Sequence, residues 1–127
     1  GTPLDFRKAT PVGARIDAKF QPLIDAGGYD HNYILDGHGY RKVTTVYEPT
    51  SGRVLEVFTT EPGIQFYSGN FLKNEPGKNG HTYVHRGGFC LETQHYPDSP
   101  NHANFPTTVI RPSETFTSKT VYHFAVK

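Results

Sequence analysis

The chain has 127 residues, 35% of them hydrophobic, with 13 Lys and Arg against 12 Asp and Glu for a net charge of +1. That length suits one domain of ordinary size, and the near-neutral balance gives no electrostatic footprint for nucleic acid or an anionic membrane. No apolar run approaches the roughly 18 residues of a membrane-spanning helix, and a lone cysteine, Cys90, excludes an internal disulfide.

The aromatic residues are 8 Tyr and 9 Phe, set among 13 Gly and 10 Pro. Aromatic and β-branched residues suit a pleated, half-buried surface, and Gly and Pro punctuate it, so strands and turns are expected rather than long helices. Only residues 14–26 have helical character, and Pro22 limits them to a turn or two. Residues 42–48 and 53–59 are β-rich runs flanking Pro49-Thr50-Ser51-Gly52, which predicts a hairpin with a four-residue loop. Residues 64–67 read as another strand, 73–80 as a polar surface loop, and 87–94 as a strand begun by Gly87-Gly88. Three prolines make 95–106 an ordered irregular loop. A last strand is expected over 115–126, with Phe116, Ser118, Thr120, Tyr122, Phe124 and Val126 on one face. The class is all-β, with a sandwich as the expected architecture.

Among the titratable residues, Glu92 falls on one strand face with Cys90 and Gln94, opposite Phe89, Leu91 and Thr93. Flanked by Cys90 and Leu91, its carboxyl is expected to be partly desolvated, which favours a general base; the plainer alternative is a solvated strand face. Asp30 lies in Gly27-Gly28-Tyr29-Asp30-His31-Asn32, where it either accepts hydrogen bonds from hydroxyl groups or closes an Asx turn on its own backbone. Tyr29 offers a ring for the C–H face of a sugar. Arg86 and Gln65 can bond hydroxyls or be structural. Glu92, His95, Asp98 and His102 are metal-ligand types, but their spacing matches no metal motif, and His31 and His95 read better as hydrogen-bonding members of polar loops. Cys90, inside an apolar strand, is expected to be inert packing.

The order of the segments carries more than any one of them. Gly1-Thr2-Pro3-Leu4-Asp5-Phe6-Arg7, Gly28-Tyr29-Asp30-His31-Asn32, Gly63-Ile64-Gln65-Phe66-Tyr67-Ser68-Gly69-Asn70 and Leu91-Glu92-Thr93-Gln94-His95-Tyr96-Pro97-Asp98-Ser99-Pro100-Asn101 follow one another. Together they resemble the C-terminal part of the aldose 1-epimerase, or galactose mutarotase, family across nearly the whole chain. The resemblance implies a galactose mutarotase-like β-sandwich in which residues 1–127 are a single all-β segment of a larger supersandwich. It implies interconversion of the α and β anomers of free aldoses such as galactose and glucose, without metal or other cofactor. By the family's motifs, Glu92 is the general base, and Asp30 and Gln65 contact the substrate.

The family's acid is a histidine from the N-terminal portion, and no segment here matches its motif. The resemblance therefore implies an N-terminal portion of the same enzyme as partner, a cytoplasmic location, and little activity for these residues alone. A chain lacking that cover is also expected to expose strand edges and apolar surface. From another class, a non-catalytic sugar-binding β-sandwich module is the alternative, and a glycosidase using Asp30 and Glu92 as a carboxylate pair is a further reading.

Overall fold

A computed structural model describes all 127 residues. The elements in chain order are α1 (Gln21–Ala26), β1 (Asp30–Ile34), β2 (Arg41–Glu48), β3 (Arg53–Thr59), β4 (Gly63–Tyr67), β5 (Glu75–Pro76), β6 (Thr82–Tyr83), β7 (Cys90–Gln94) and β8 (Thr120–Val126), with short 3-10 turns between some of them. The chain is all-β apart from that one short helix. Its sheets have the orders β1-β4-β7, β2-β3-β8 and β5-β6. By internal packing the chain falls into two units, Gly1–His31 with Gln65–Glu92 and Asn32–Ile64 with Thr93–Lys127.

In the first unit, α1 is confined to the expected short span, and Pro22 sits in its first turn, where a missing N–H costs nothing. The helix ends at Gly27, whose φ of 65° lets its N–H and that of Gly28 turn back onto the carbonyls of Ile24 and Leu23. Aromatic rings form the core. Tyr29, fully buried, stacks on Phe66 at 5.2 Å between centroids, and Phe6 meets both edge-on at 5.1 and 5.8 Å. Phe89 closes the group against Phe66 at 6.2 Å. Such geometries match the ring quadrupoles as well as burying area. Tyr29 is thus a core residue whose hydroxyl donates to the Pro3 carbonyl, which overturns its expected role as a sugar platform.

Two sequence expectations in this unit need adjusting. The polar segment 73–80 is exposed as expected, but its Glu75 and Pro76 pair with Tyr83 and Thr82 in a minimal antiparallel ladder. The strand expected over 87–94 begins only at Cys90.

In the second unit, β2 and β3 form the predicted antiparallel hairpin, with Glu48 opposite Arg53 and a bulge between Lys42 and Thr44. Glu48 closes the loop by accepting the N–H groups of Thr50 (2.8 Å) and Ser51 (2.7 Å). β8 adds antiparallel to β3, pairing Val57 with Tyr122 and Leu55 with Phe124. Of the strand expected over 115–126, only the part from Thr120 is strand. The reason is polar: the Ser118 hydroxyl donates to the buried carboxylate of Glu61, and Lys119 bonds Thr60 through both its N–H and its carbonyl. Residues 95–106 are irregular and ordered, with Asp98 accepting from Asn101 and His102 and Phe105 packing on Tyr96 and His102.

The sheet face shared by Leu55, Val57, Tyr122, Phe124 and Val126 is unevenly covered. Val57 is fully buried, whereas Phe124 and Val126 are 74% and 78% exposed. Large apolar side chains exposed elsewhere include Ile34, Phe71, Val109 and Phe116. No helix is long and apolar enough to cross a membrane.

Candidate active site

Alternation along the strands of the first unit sets one side chain in and the next out. Tyr29 and Phe66 point into the aromatic core, so their neighbours Asp30 and Gln65 face away from it, while alternation along β7 puts Cys90 and Glu92 together on one face. Two observations join them. Gln65 Nε2 donates to Asp30 Oδ1 at 2.8 Å. The Cys90 thiol is raised above its ordinary range first by desolvation, then by the charge of Glu92 and a hydrogen bond to it, and finally by the charge of Asp30. Asp30, Cys90 and Glu92 therefore share one electrostatic neighbourhood.

The surroundings correct three sequence expectations. Asp30 does not close an Asx turn; it opens strand β1, where its carboxylate takes Gln65 and its N–H donates to His31 Nδ1 at 3.0 Å. Glu92 is exposed, so Cys90 and Leu91 do not supply the expected desolvation. Cys90 is exposed as well and stands beside the carboxylates instead of being packed away, although enough protein crowds its sulfur to raise the thiol.

What holds Asp30 in place is not visible in the motif. Buried Asn70 donates to the carbonyls of Ala26 (3.0 Å) and Tyr29 (2.9 Å) and accepts from the Ser68 hydroxyl at 2.6 Å. Ser68 in turn takes the Tyr29 N–H at 3.0 Å and gives its own N–H to the Tyr29 carbonyl at 2.9 Å. The Tyr29 N–H and carbonyl are thereby both satisfied, which fixes the backbone that leads into Asp30. The role of Ser68 and Asn70 was missed at the sequence level, although both lie in the Ser68-Gly69-Asn70 segment that ends β4.

In the second unit, His95 is held through Nδ1 by the nearly buried Glu61 at 2.8 Å, and Gln94 bonds Asn32 at 3.2 Å. His102 pairs with Asp98. No three His, Cys, Asp or Glu side chains gather as a metal shell would require.

A sequence profile described as aldose 1-epimerase matches residues 1–123. The chain belongs to the aldose 1-epimerase family. Galactose mutarotase of Homo sapiens is 42% identical over 99% of this chain, and that of Bos taurus is 41% identical over the same share. Aldose 1-epimerase of Escherichia coli K12 is 37% identical over 98% of the chain. The chain spans only 36–37% of the length of these relatives. An all-β, galactose mutarotase-like fold is what the strands and antiparallel ladders of the structure accord with.

Proposed function

We propose that residues 1–127 are the base-bearing, C-terminal portion of an enzyme that interconverts the anomers of free aldoses such as galactose and glucose. Glu92 is its general base, and Asp30 and Gln65 bind sugar hydroxyls. Glu92 takes the proton of the C1 hydroxyl while an acid gives one to the ring oxygen. The C1–ring-oxygen bond breaks as the C1 carbonyl forms. Rotation about C1–C2 and closure on the other face of the carbonyl then return both protons and give the other anomer.

What supports this reading is the Gln65–Asp30 hydrogen bond, in the same unit as an exposed Glu92 whose charge, with that of Asp30, acts on Cys90. A carboxylate that takes a proton must reach it directly, and a half-buried Asp held by Gln65 is pre-oriented to accept hydroxyl donors. No residue is added for the acid. The reading assigns it to a histidine in an N-terminal portion of the same enzyme, which also covers the exposed apolar residues and removes water from Glu92 when sugar is bound. Without that portion these residues are expected to be nearly inactive, and a cytoplasmic setting goes with the same reading.

Polarimetry of freshly dissolved α-galactose tests it. The full-length protein speeds the approach to anomeric equilibrium, and Glu92→Gln slows it by about 100-fold or more, the range for losing a positioned acid or base. A variant that keeps the wild-type rate refutes the base assignment. Galactose binding without any acceleration would favour the sugar-binding module.

A further inference from the structure

Arg86 takes no part in the proton transfers above, yet it is hydrogen-bonded beside the two segments that carry Asp30 and Gln65 and stands in the chain just ahead of the strand that carries Glu92. Its Nη2 donates to the Gly27 carbonyl at 2.9 Å, just ahead of Asp30, and to Asp17 Oδ1 at 2.9 Å. Its backbone N–H donates to the Gly69 carbonyl at 3.0 Å, just beyond β4 and Gln65. Along the chain it precedes Gly87-Gly88-Phe89 and the start of β7, which carries Glu92.

Two further features mark the position as constrained. Arg86 has φ 54°, a left-handed conformation that a non-glycine residue holds only when its surroundings dictate it. Its side chain is only 26% exposed, and its Nε is buried without a hydrogen-bond partner, an arrangement that a freely chosen surface ion pair does not need. The guanidinium also holds the Asp17 carboxyl below the usual carboxylate range through their hydrogen bond. Both bonds leave the one planar Nη2, whose two hydrogens point in fixed directions, whereas an ammonium on a flexible stem holds two acceptors less rigidly.

We infer that Arg86 is a positioning residue for the proposed epimerase site: its side chain ties the Gly27 carbonyl, just ahead of Asp30, to the chain leading into β7, while its backbone N–H holds Gly69, and the guanidinium thereby sets the spacing between Asp30, which holds the sugar, and Glu92, which takes its proton. This rests on the reading of Glu92 as the base. A displaced site loses both sugar contact and proton transfer, so kcat and KM both move. Loss of folded molecules alone would lower the apparent kcat and leave KM where it was.

The experiment measures kcat and KM for galactose anomer exchange in the full-length protein and in Arg86→Gln, Arg86→Lys and Glu92→Gln. Arg86→Gln is expected to lower kcat about tenfold and raise KM about threefold, with Arg86→Lys recovering part of each. A folded Arg86→Gln within about twofold of wild type in both constants overturns the inference. So does a fall in kcat with KM unchanged and no recovery by Lys. Should Arg86→Gln fail to fold, Arg86→Lys decides: lowered kcat with raised KM upholds the inference, and wild-type constants overturn it. If Glu92→Gln keeps full activity, the base assignment fails and this inference with it. If Glu92→Gln is inactive while Arg86→Gln is normal, only the positioning role fails.

Discussion

Replacing Gly28 by Ala should be among the most disruptive small changes in the molecule, because two independent costs meet at one methyl group. Gly28 has φ 141°, where an L side chain is strained, and an added Cβ would fall on the Asn70 amide with Asn70 Cγ only 2.9 Å away. The backbone strain costs about 1–3 kcal/mol. Asn70 cannot swing aside cheaply, since it donates to the Ala26 and Tyr29 carbonyls and accepts from Ser68. Losing those bonds adds about 1 kcal/mol each. The sum is roughly 4–6 kcal/mol, a large share of a typical domain's stability and a shift of about 2–3 M in urea midpoint at an m-value of about 2 kcal/mol/M. A double-mutant cycle separates the two parts. In an Asn70→Ala background the clash is gone, so Gly28→Ala should cost only the strain, leaving a coupling of about 3 kcal/mol. Urea denaturation of the four proteins reads this directly. A cost below about 1 kcal/mol for Gly28→Ala, or the same cost in both backgrounds, would refute the reasoning.

Other consequences follow from single contacts. Glu48 is lowered from its ordinary 4.5 to about 2 by the Ser51 hydroxyl first and then by the N–H groups of Thr50 and Ser51. A carboxylate depressed in the folded state stabilises above its unfolded value and loses that contribution as pH falls through the folded one. The Thr50 and Ser51 amide resonances should therefore titrate together with a midpoint near 2, and a midpoint near 4.5 would show that the cap is not formed. Cys90 is exposed beside Glu92 and Asp30, so galactose should slow its alkylation by iodoacetamide about threefold or more, read by mass spectrometry; an unchanged rate would place the sugar elsewhere. With Phe124 and Val126 largely exposed, residues 1–127 alone should self-associate in sedimentation velocity, and Phe124→Lys with Val126→Lys should reduce it. A wild-type chain that stays monomeric would contradict this.

How much was legible in the sequence depended on how local each cause is. The β2–β3 hairpin was readable because its two β-rich runs and its turn lie within 41–59. β1 was not, because Asp30-His31-Asn32-Tyr33-Ile34 has no apolar alternation and becomes a strand only by pairing with β4, distant in the chain. Residues 115–119 alternate as a strand should, yet Ser118 is drawn to Glu61, a partner 57 residues away. Tyr29 was misassigned because nothing local says that Phe6 and Phe66 enclose it. Glu92, Asp30 and Gln65 came from the resemblance of whole motifs. Spacing alone left an Asx turn and a solvated strand face open for two of them. The ties of Arg86 to Asp17 and Gly27 span 69 and 59 residues, and its positive φ has no sequence signal.

The most direct test of the central claim, that Glu92 is the base of an anomer-exchanging site, is NMR exchange spectroscopy on equilibrated galactose with the full-length protein. Cross-peaks between the two anomeric protons are expected with wild type. They should vanish with Glu92→Gln while saturation transfer from protein to sugar persists. Cross-peaks of undiminished intensity in Glu92→Gln would contradict the account.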